Sequence, residues 1–378
     1  MIVPKLKKKV FDKFMLWFEK SNQYMITDPF VDALIEYYLD SKSKKDFLQK
    51  ASLSFDLEEN LLSNIHTELE TNFKSLDLDC EDEEVQKLSL DKDQRKIECV
   101  YRIGQIVVKV FYSDEKVKEL IHPQIAHTRI EATDFNNPFV FDISFIDHHF
   151  YLYENETFVK AFTSNNPHLL QGKFAMRLLC AIHHNSESDW IASLHASTVA
   201  FHDNAVLIVG KSGQGKSTFT AHLMAAGYQL VADDLTPLKS NNQKVYPYPS
   251  GISIKKGAFG SLKHKISNFE KLPEVFKSQE KGHIKYIPSI NEIDNYQKGF
   301  NSKMVLLINY EPNATTQLET ISFEKALNVI IVDSWISPLE ENAKQFMDWV
   351  GTLKYFELTY SNTDEAIDLF NQLLNSNT

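Results

Sequence analysis

The run Gly210-Lys-Ser-Gly-Gln-Gly-Lys216-Ser217 has the composition and spacing of a loop that holds a polyphosphate. Its glycines let the backbone turn so that successive N–H groups face inward at phosphate oxygens. The helix expected after it adds unsatisfied N–H groups and a positive dipole end. Lys216 is placed to neutralise the β and γ phosphates, and Ser217 to offer a hydroxyl to Mg²⁺. The candidate nucleotide-binding residues are Gly210, Lys211, Ser212, Gly213, Gln214, Gly215, Lys216, Ser217 and Thr218, with ATP and Mg²⁺ as the ligands.

Asp233 and Asp234 close the next apolar run, Gln229-Leu-Val-Ala232. Adjacent carboxylates at a strand end point to different sides and can divide two tasks. One can hold Mg²⁺; the other can accept a hydroxyl proton or orient the attacking oxygen. His195, in Leu194-His-Ala-Ser197, precedes the loop strand, and by itself such a histidine reads as structural. The pairs His148-His149 and His183-His184 diverge on either a strand or a helix and do not read as metal ligands.

These residues need elements to place them. Ala205-Val-Leu-Ile-Val209 is continuously apolar, as in a strand buried on both faces of a parallel sheet. Residues 216–226 read as the following helix, ended by Gly227. Another apolar strand is expected at 304–310, and helices at 322–332, 340–353 and 364–375. Upstream, Ile106-Val-Val-Lys-Val-Phe-Tyr112, Phe139-Val-Phe-Asp-Ile-Ser-Phe-Ile146, 150–153 and 157–162 read as strands separated by polar turns. Residues 167–184 have helical spacing. Near the N-terminus, Phe14-Met-Leu-Trp-Phe18 and Tyr24-Met-Ile26 read as a hairpin. Thr27-Asp28-Pro29 then starts a helix through Leu39. A second helix is expected after Ser43, and a third from a capping pair Asp56 and Glu59 with Leu57, Leu61, Ile65, Leu69 and Phe73 inward. The acidic stretch 76–94 reads as a linker.

The chain has 378 residues, 40 Lys plus Arg against 51 Asp plus Glu, and a net charge of −11. Such a surface disfavours nucleic acid and anionic membrane as partners. The basic cluster at Lys5 to Lys9 reads as a solvated tail. Three scattered cysteines, Cys80, Cys99 and Cys180, argue against a disulfide framework and a thiolate zinc site. Neither a signal peptide nor a membrane span is apparent, so the expected location is the cytoplasm.

The stretch from Leu194 to Asp234 resembles the catalytic domain of HPr kinase/phosphorylase, which shares its nucleotide fold with ATP-dependent phosphoenolpyruvate carboxykinases. The match covers a His before the loop, the loop itself, the glycine ending the helix and the L-V-A-D-D strand. The resemblance implies that His195 is catalytic, Lys216 binds phosphate, Ser217 binds Mg²⁺, Asp233 supports the metal and Asp234 accepts the substrate proton. More diffusely, Lys285-Tyr-Ile-Pro288, Asn309-Tyr-Glu311 and Lys354-Tyr-Phe-Glu-Leu-Thr-Tyr360 resemble a subgroup linked to modified ribosomal peptides, some members of which phosphorylate a peptide serine. Two departures separate the chain from the HPr enzyme itself. Phe259 stands where that enzyme has a metal-binding glutamate, and its catalytic arginine is missing. Lys285, in the basic segment Lys281-Gly-His-Ile-Lys285, is the candidate replacement, contacting acceptor or phosphate. Residues 1–75 resemble a PqqD-type, winged-helix-like domain that takes a peptide as an added strand at an exposed edge, here Phe14 to Phe18 or Tyr24 to Ile26.

The expected fold class is α/β. A PqqD-like domain at 1–75 and a linker at 76–94 precede a β-rich region at 95–190 packed on an HPr-kinase-like P-loop domain at 191–378. The expected function is an ATP-dependent kinase acting on a hydroxyl, most simply Ser or Thr of a peptide or protein bound partly by residues 1–75. A sugar or free-serine kinase, or a nucleotide-binding scaffold that presents a peptide, uses the same loop. The chain has neither an N-K-x-D motif of small GTPases nor the L-S-G-G-Q signature of ABC ATPases.

Overall fold

Where an apolar run is too continuous for a strand with one wet face, both of its faces have to be covered. That demand shapes both units of the chain. The computed structural model describes residues 3–76, 85–131, 135–278, 282–289 and 295–377. Cys80, residues 77–84 of the acidic linker and Lys281 lie outside them. One unit comprises Met1–Glu83 with Ile336–Thr352; the other comprises Glu84–Trp335 with Leu353–Thr378.

The first unit is built on a three-stranded antiparallel sheet in the order Leu6–Val10, Lys13–Phe18, Gln23–Thr27. Met15, Leu16, Trp17 and Phe18 are all buried, because the middle strand is covered on both faces. On one side Leu16 and Phe18 meet Leu34, Ile35, Phe47, Leu62 and Phe73 from three helices, Pro29–Leu39, Lys44–Ser54 and Glu59–Ser75. The helix Glu340–Val350 also belongs to this unit, and its Phe346 ring meets Tyr24 at 5.1 Å. Asp28 and Ser43 cap the first two helices through Val31 N and Asp46 N.

Three expectations for this unit need correction. The lysine cluster is not a tail but the outer strand Leu6–Val10. Lys5 pairs with Glu340 at 3.4 Å, Lys7 with Asp32 at 2.6 Å, and Lys8 with Asp348. Phe14 to Phe18 is consequently the central strand and offers no free edge; Gln23–Thr27 is an edge. The third helix starts two residues late, with Glu58 rather than Asp56 at its N-cap and no side-chain cap, and it packs Leu62 inward while Leu61 stays about half exposed.

The second unit begins with a six-stranded sheet ordered Arg129–Ile130, Ile97–Ile103, Ile106–Tyr112, Phe139–Ile146, His149–Glu154, Thr157–Thr163. Ile106, Val108, Val110 and Tyr112 alternate inward. The helices Glu115–Ile125 and Pro167–His183 contribute Ile121, Ile125, Phe174 and Leu178 to the same core, which continues into Trp190, Tyr246 and Tyr248. The β-rich region and the loop-bearing sheet thus share one interior. Cys99 and Cys180 are buried there as free thiols. Among the described residues no helix is long and apolar enough to cross a membrane.

The loop-bearing sheet is mixed rather than parallel. Asn204–Val209 pairs antiparallel with Ser197–Phe201, which pairs antiparallel with Gln229–Ala232. On its other side it runs parallel to Phe300–Tyr310, and that strand runs parallel to Lys354–Tyr360. Four strands therefore run in one direction, and their C-terminal ends carry the phosphate loop, the Asp pair, Tyr310 and Tyr360 along one sheet edge.

Candidate active site

The loop leaves Asn204–Val209 and enters the helix Lys216–Ala225. Two of its glycines are required by conformation, Gly213 at φ +88° and Gly215 at φ +86°. Gly215 is also required by space, since a Cβ there would lie 3.0 Å from Tyr360 Oη and 3.3 Å from Tyr310 Cβ. The helix has no side-chain cap at its N-terminus, so its first N–H groups are offered to whatever occupies the loop. Gly227, at φ +101°, ends the helix, with Tyr228 N donating to Leu223 O at 3.1 Å.

The two aspartates face different ways. Asp233 is 1% exposed. Its carboxylate accepts a very short bond from Ser197 Oγ, one from Ser217 Oγ at 3.2 Å and one from Ser253 N at 3.0 Å. Burial, and then the charge of Asp234, push its pKa up to about 6, against the pull of Lys216, the Ser197 hydroxyl and the Ser253 amide. Asp234 turns out to the cleft in a left-handed conformation, φ +61°, that side chains other than glycine seldom adopt. Its Oδ1 receives the buried Lys216 ammonium at 2.7 Å. Lys216 Nζ also lies 3.4 Å from His195 Nε2. His195 is held from behind by its amide, which donates to Ser334 Oγ at 2.7 Å.

These groups border a cleft of about 580 Å³. Seven of the nine candidate loop residues line it: Lys211, Ser212, Gly213, Gly215, Lys216, Ser217 and Thr218. His195 and Asp234 line it as well. Gly210 does not; a Cβ there would meet Ile308 O at 3.0 Å, so its role is close packing of loop on strand. Gln214 does not either, and its carbonyl accepts from Tyr310 N at 3.3 Å. Asp233 stands behind Ser217 rather than on the cleft wall.

Lys285 has to be corrected. It is 7% exposed, and its ammonium donates to Phe269 O at 3.2 Å and Glu270 O at 3.0 Å. It also lies over the rings of Phe259 and Phe269, at 5.5 and 5.3 Å. It anchors a turn and does not reach the cleft; its neighbour Ile284 does. Phe259 packs edge-on against Phe269, 5.5 Å between centroids, and brings no carboxylate to the site.

Several lining residues lie outside the glycine loop and the Asp pair. Ser253, Lys255 and Ser261 form one wall, and Tyr310, Tyr360 and Thr363 another. His222, on the loop helix, is buried, and burial lowers its pKa to about 4, with Lys265 adding to that and Asp364 opposing. Tyr286 has its pKa raised by burial first and then by the charges of Asp234 and Asp233. Ser197, two residues after His195, reaches Asp233 across the sheet. Its contact with Asp233 depends on the pairing of Ser197–Phe201 with Gln229–Ala232.

No family model and no curated protein matches the chain. Among solved structures, the Hpr(Ser) kinase/phosphatase from Coxiella burnetii is similar at 15% identity, over 48% of this chain and 93% of that one, with a TM-score of 0.24. A likeness at that score carries no weight for the chemistry, which rests on the geometry of this chain alone.

Proposed function

We propose that the chain is an ATP-dependent kinase that moves the γ-phosphoryl group to a hydroxyl, most simply Ser or Thr of a peptide or protein. The observation that carries this reading is the convergence of Lys216 and Asp234, 2.7 Å apart, at the mouth of the glycine loop with the buried Asp233 behind them. A loop alone binds phosphate; a loop with a cleft-facing carboxylate can also take a proton.

Loop amides and the helix N-terminus grip the phosphates, and Lys216 leaves its carboxylate partner for the transferring group. Asp234, so released, accepts the hydroxyl proton as the acceptor oxygen bonds to the γ phosphorus and ADP departs. His195, beside Lys216, orients the ammonium and the incoming group. Ser217 and Asp233 would hold Mg²⁺. They fit it, being two hard oxygen donors 3.2 Å apart, one of them a carboxylate whose pKa is raised by burial and then by the charge of Asp234. Bound Mg²⁺ supplies countercharge for the phosphates. The residues 1–75 contribute the peptide site in this reading, with Gln23–Thr27 as the available strand edge.

The test is ATP turnover by the full chain with Ser/Thr peptides, free serine and sugars as separate acceptors, read by mass spectrometry. Phosphopeptide formation that vanishes in Asp234→Asn, with ATP binding retained, supports the reading. Turnover on free serine or a sugar but not on peptide makes the chain a small-molecule kinase. Absence of turnover with every acceptor, together with tight ATP binding, makes it a nucleotide-sensing scaffold.

A further inference from the structure

The two ends of the cleft differ in chemistry. Toward Asp234 the wall is charged and polar: His195, Lys216, Asp234, Ser253 and Lys255. At the other end the described residues are Tyr310, Tyr360, Ser361 and Thr363, two phenol rings and two aliphatic hydroxyls with no charged side chain. The glycine loop and the start of its helix lie between.

Tyr310 ends Phe300–Tyr310, the strand parallel to the one that feeds the loop. Its amide bonds to Gln214 O, and its Cβ sits hard against Gly215, so its root is fixed to the loop. The residue is nevertheless 44% exposed, unusual for a large aromatic residue so well tied down. Tyr360, only 2% exposed, supports it edge-on, with ring centroids 5.4 Å apart at 66°, and is itself backed by Phe219 at 5.4 Å. A ring braced from below and partly bare in a ligand cleft is a stacking platform.

We infer that Tyr310 is the platform for the purine base of the nucleotide, which fixes the direction of the ligand in the cleft. The base lies on Tyr310, the phosphates run along the loop past Thr218, and the γ-phosphoryl group arrives at Lys216 and Asp234. This assignment rests on the reading of the glycine loop as a phosphate cradle and adds to it which wall takes the base. It also explains why Gly215 serves two ends at once, its missing Cβ leaving room for both the phosphates and the tyrosine pair.

The experiment is equilibrium binding of ATP with Mg²⁺, and of tripolyphosphate with Mg²⁺, to the full chain and to Tyr310→Ala and Tyr310→Phe. Tyr310→Ala is expected to weaken ATP about ten- to a hundredfold. Tripolyphosphate, which has no base, is expected to keep its affinity in Tyr310→Ala, and Tyr310→Phe to keep that of ATP. Unchanged ATP affinity in Tyr310→Ala overturns the base assignment while leaving the phosphate loop standing. Equal losses for ATP and tripolyphosphate overturn it too, by making Tyr310 a prop of the loop. A wild-type chain that binds neither ligand overturns the phosphate-loop reading itself. Thermal unfolding of each variant separates loss of binding from loss of fold.

Discussion

Replacing Asp233 by Asn is expected to stabilise the ligand-free protein at neutral pH and to remove its response to Mg²⁺. The buried carboxylate has its pKa raised from 3.8 to about 6, burial being the largest cause and the charge of Asp234 the next. Between about pH 4 and pH 6 the folded chain therefore binds more protons at this site than the unfolded chain. Stability declines as pH rises through that window, and above it the full cost of holding the charge is present. At 1.36 kcal/mol per pKa unit that cost is about 2 to 3 kcal/mol, and it approaches zero below pH 4. Asn fits the same three partners: its oxygen accepts from Ser253 N and Ser217, and its amide donates to the Ser197 hydroxyl. For a unit of this size the gain is roughly 3 to 5 °C in Tm at pH 8. Calorimetric scans from pH 4 to pH 8 measure it, following the transition that ATP shifts upward, because a chain of two units need not unfold in one step. The expected result is an Asn variant more stable than wild type at pH 8, converging with it near pH 4, and no longer further stabilised by Mg²⁺ in the presence of ATP. An Asn variant less stable at pH 8, or a difference independent of pH, refutes the account of Asp233 as a charge held ready for a cation.

The remaining predictions address the loop and the corrected residue. Gly215→Ala places a methyl at φ +86° against Tyr360 Oη and Tyr310 Cβ. It should lower ATP affinity at least about tenfold, with strain of about 1 to 3 kcal/mol, as read by calorimetric titration and thermal unfolding. Lys285→Met removes the ammonium from two carbonyls and two rings. It should cost about 1 to 3 kcal/mol of stability in urea unfolding while leaving ATP affinity unchanged; a stable Lys285→Met variant with impaired transfer would return Lys285 to the site.

How much of this was legible in the sequence depended on how local the cause was. The loop, its helix and the Asp pair are set by residues within one strand–loop–helix–strand stretch, so Gly210 to Asp234 could be read directly. The helix starts at Asp28 and Ser43 were equally local, each a cap beside its own first turn. The strand Leu6–Val10 was hidden because Lys7 and Lys8 look solvated until Asp32, Glu36 and Asp348 arrive from distant segments. Leu61 and Leu62 exchanged places because either one continues the stripe of Ile65, Leu69 and Phe73, at i+4 or i+3 spacing, and only packing against Phe18 and Phe47 selects Leu62. Lys285 declared its charge but not its burial. Tyr310 and Tyr360 lay in segments singled out only for resemblance. They meet because two strands, Phe300–Tyr310 and Lys354–Tyr360, end side by side.

Binding of ATP with Mg²⁺, followed calorimetrically in the wild-type chain and in Lys216→Met, probes the phosphate cleft most directly. Saturable one-to-one heat in the wild type, lost or weakened at least about a hundredfold in Lys216→Met, is the predicted result. No heat in the wild type, or equal affinity in both proteins, would contradict it.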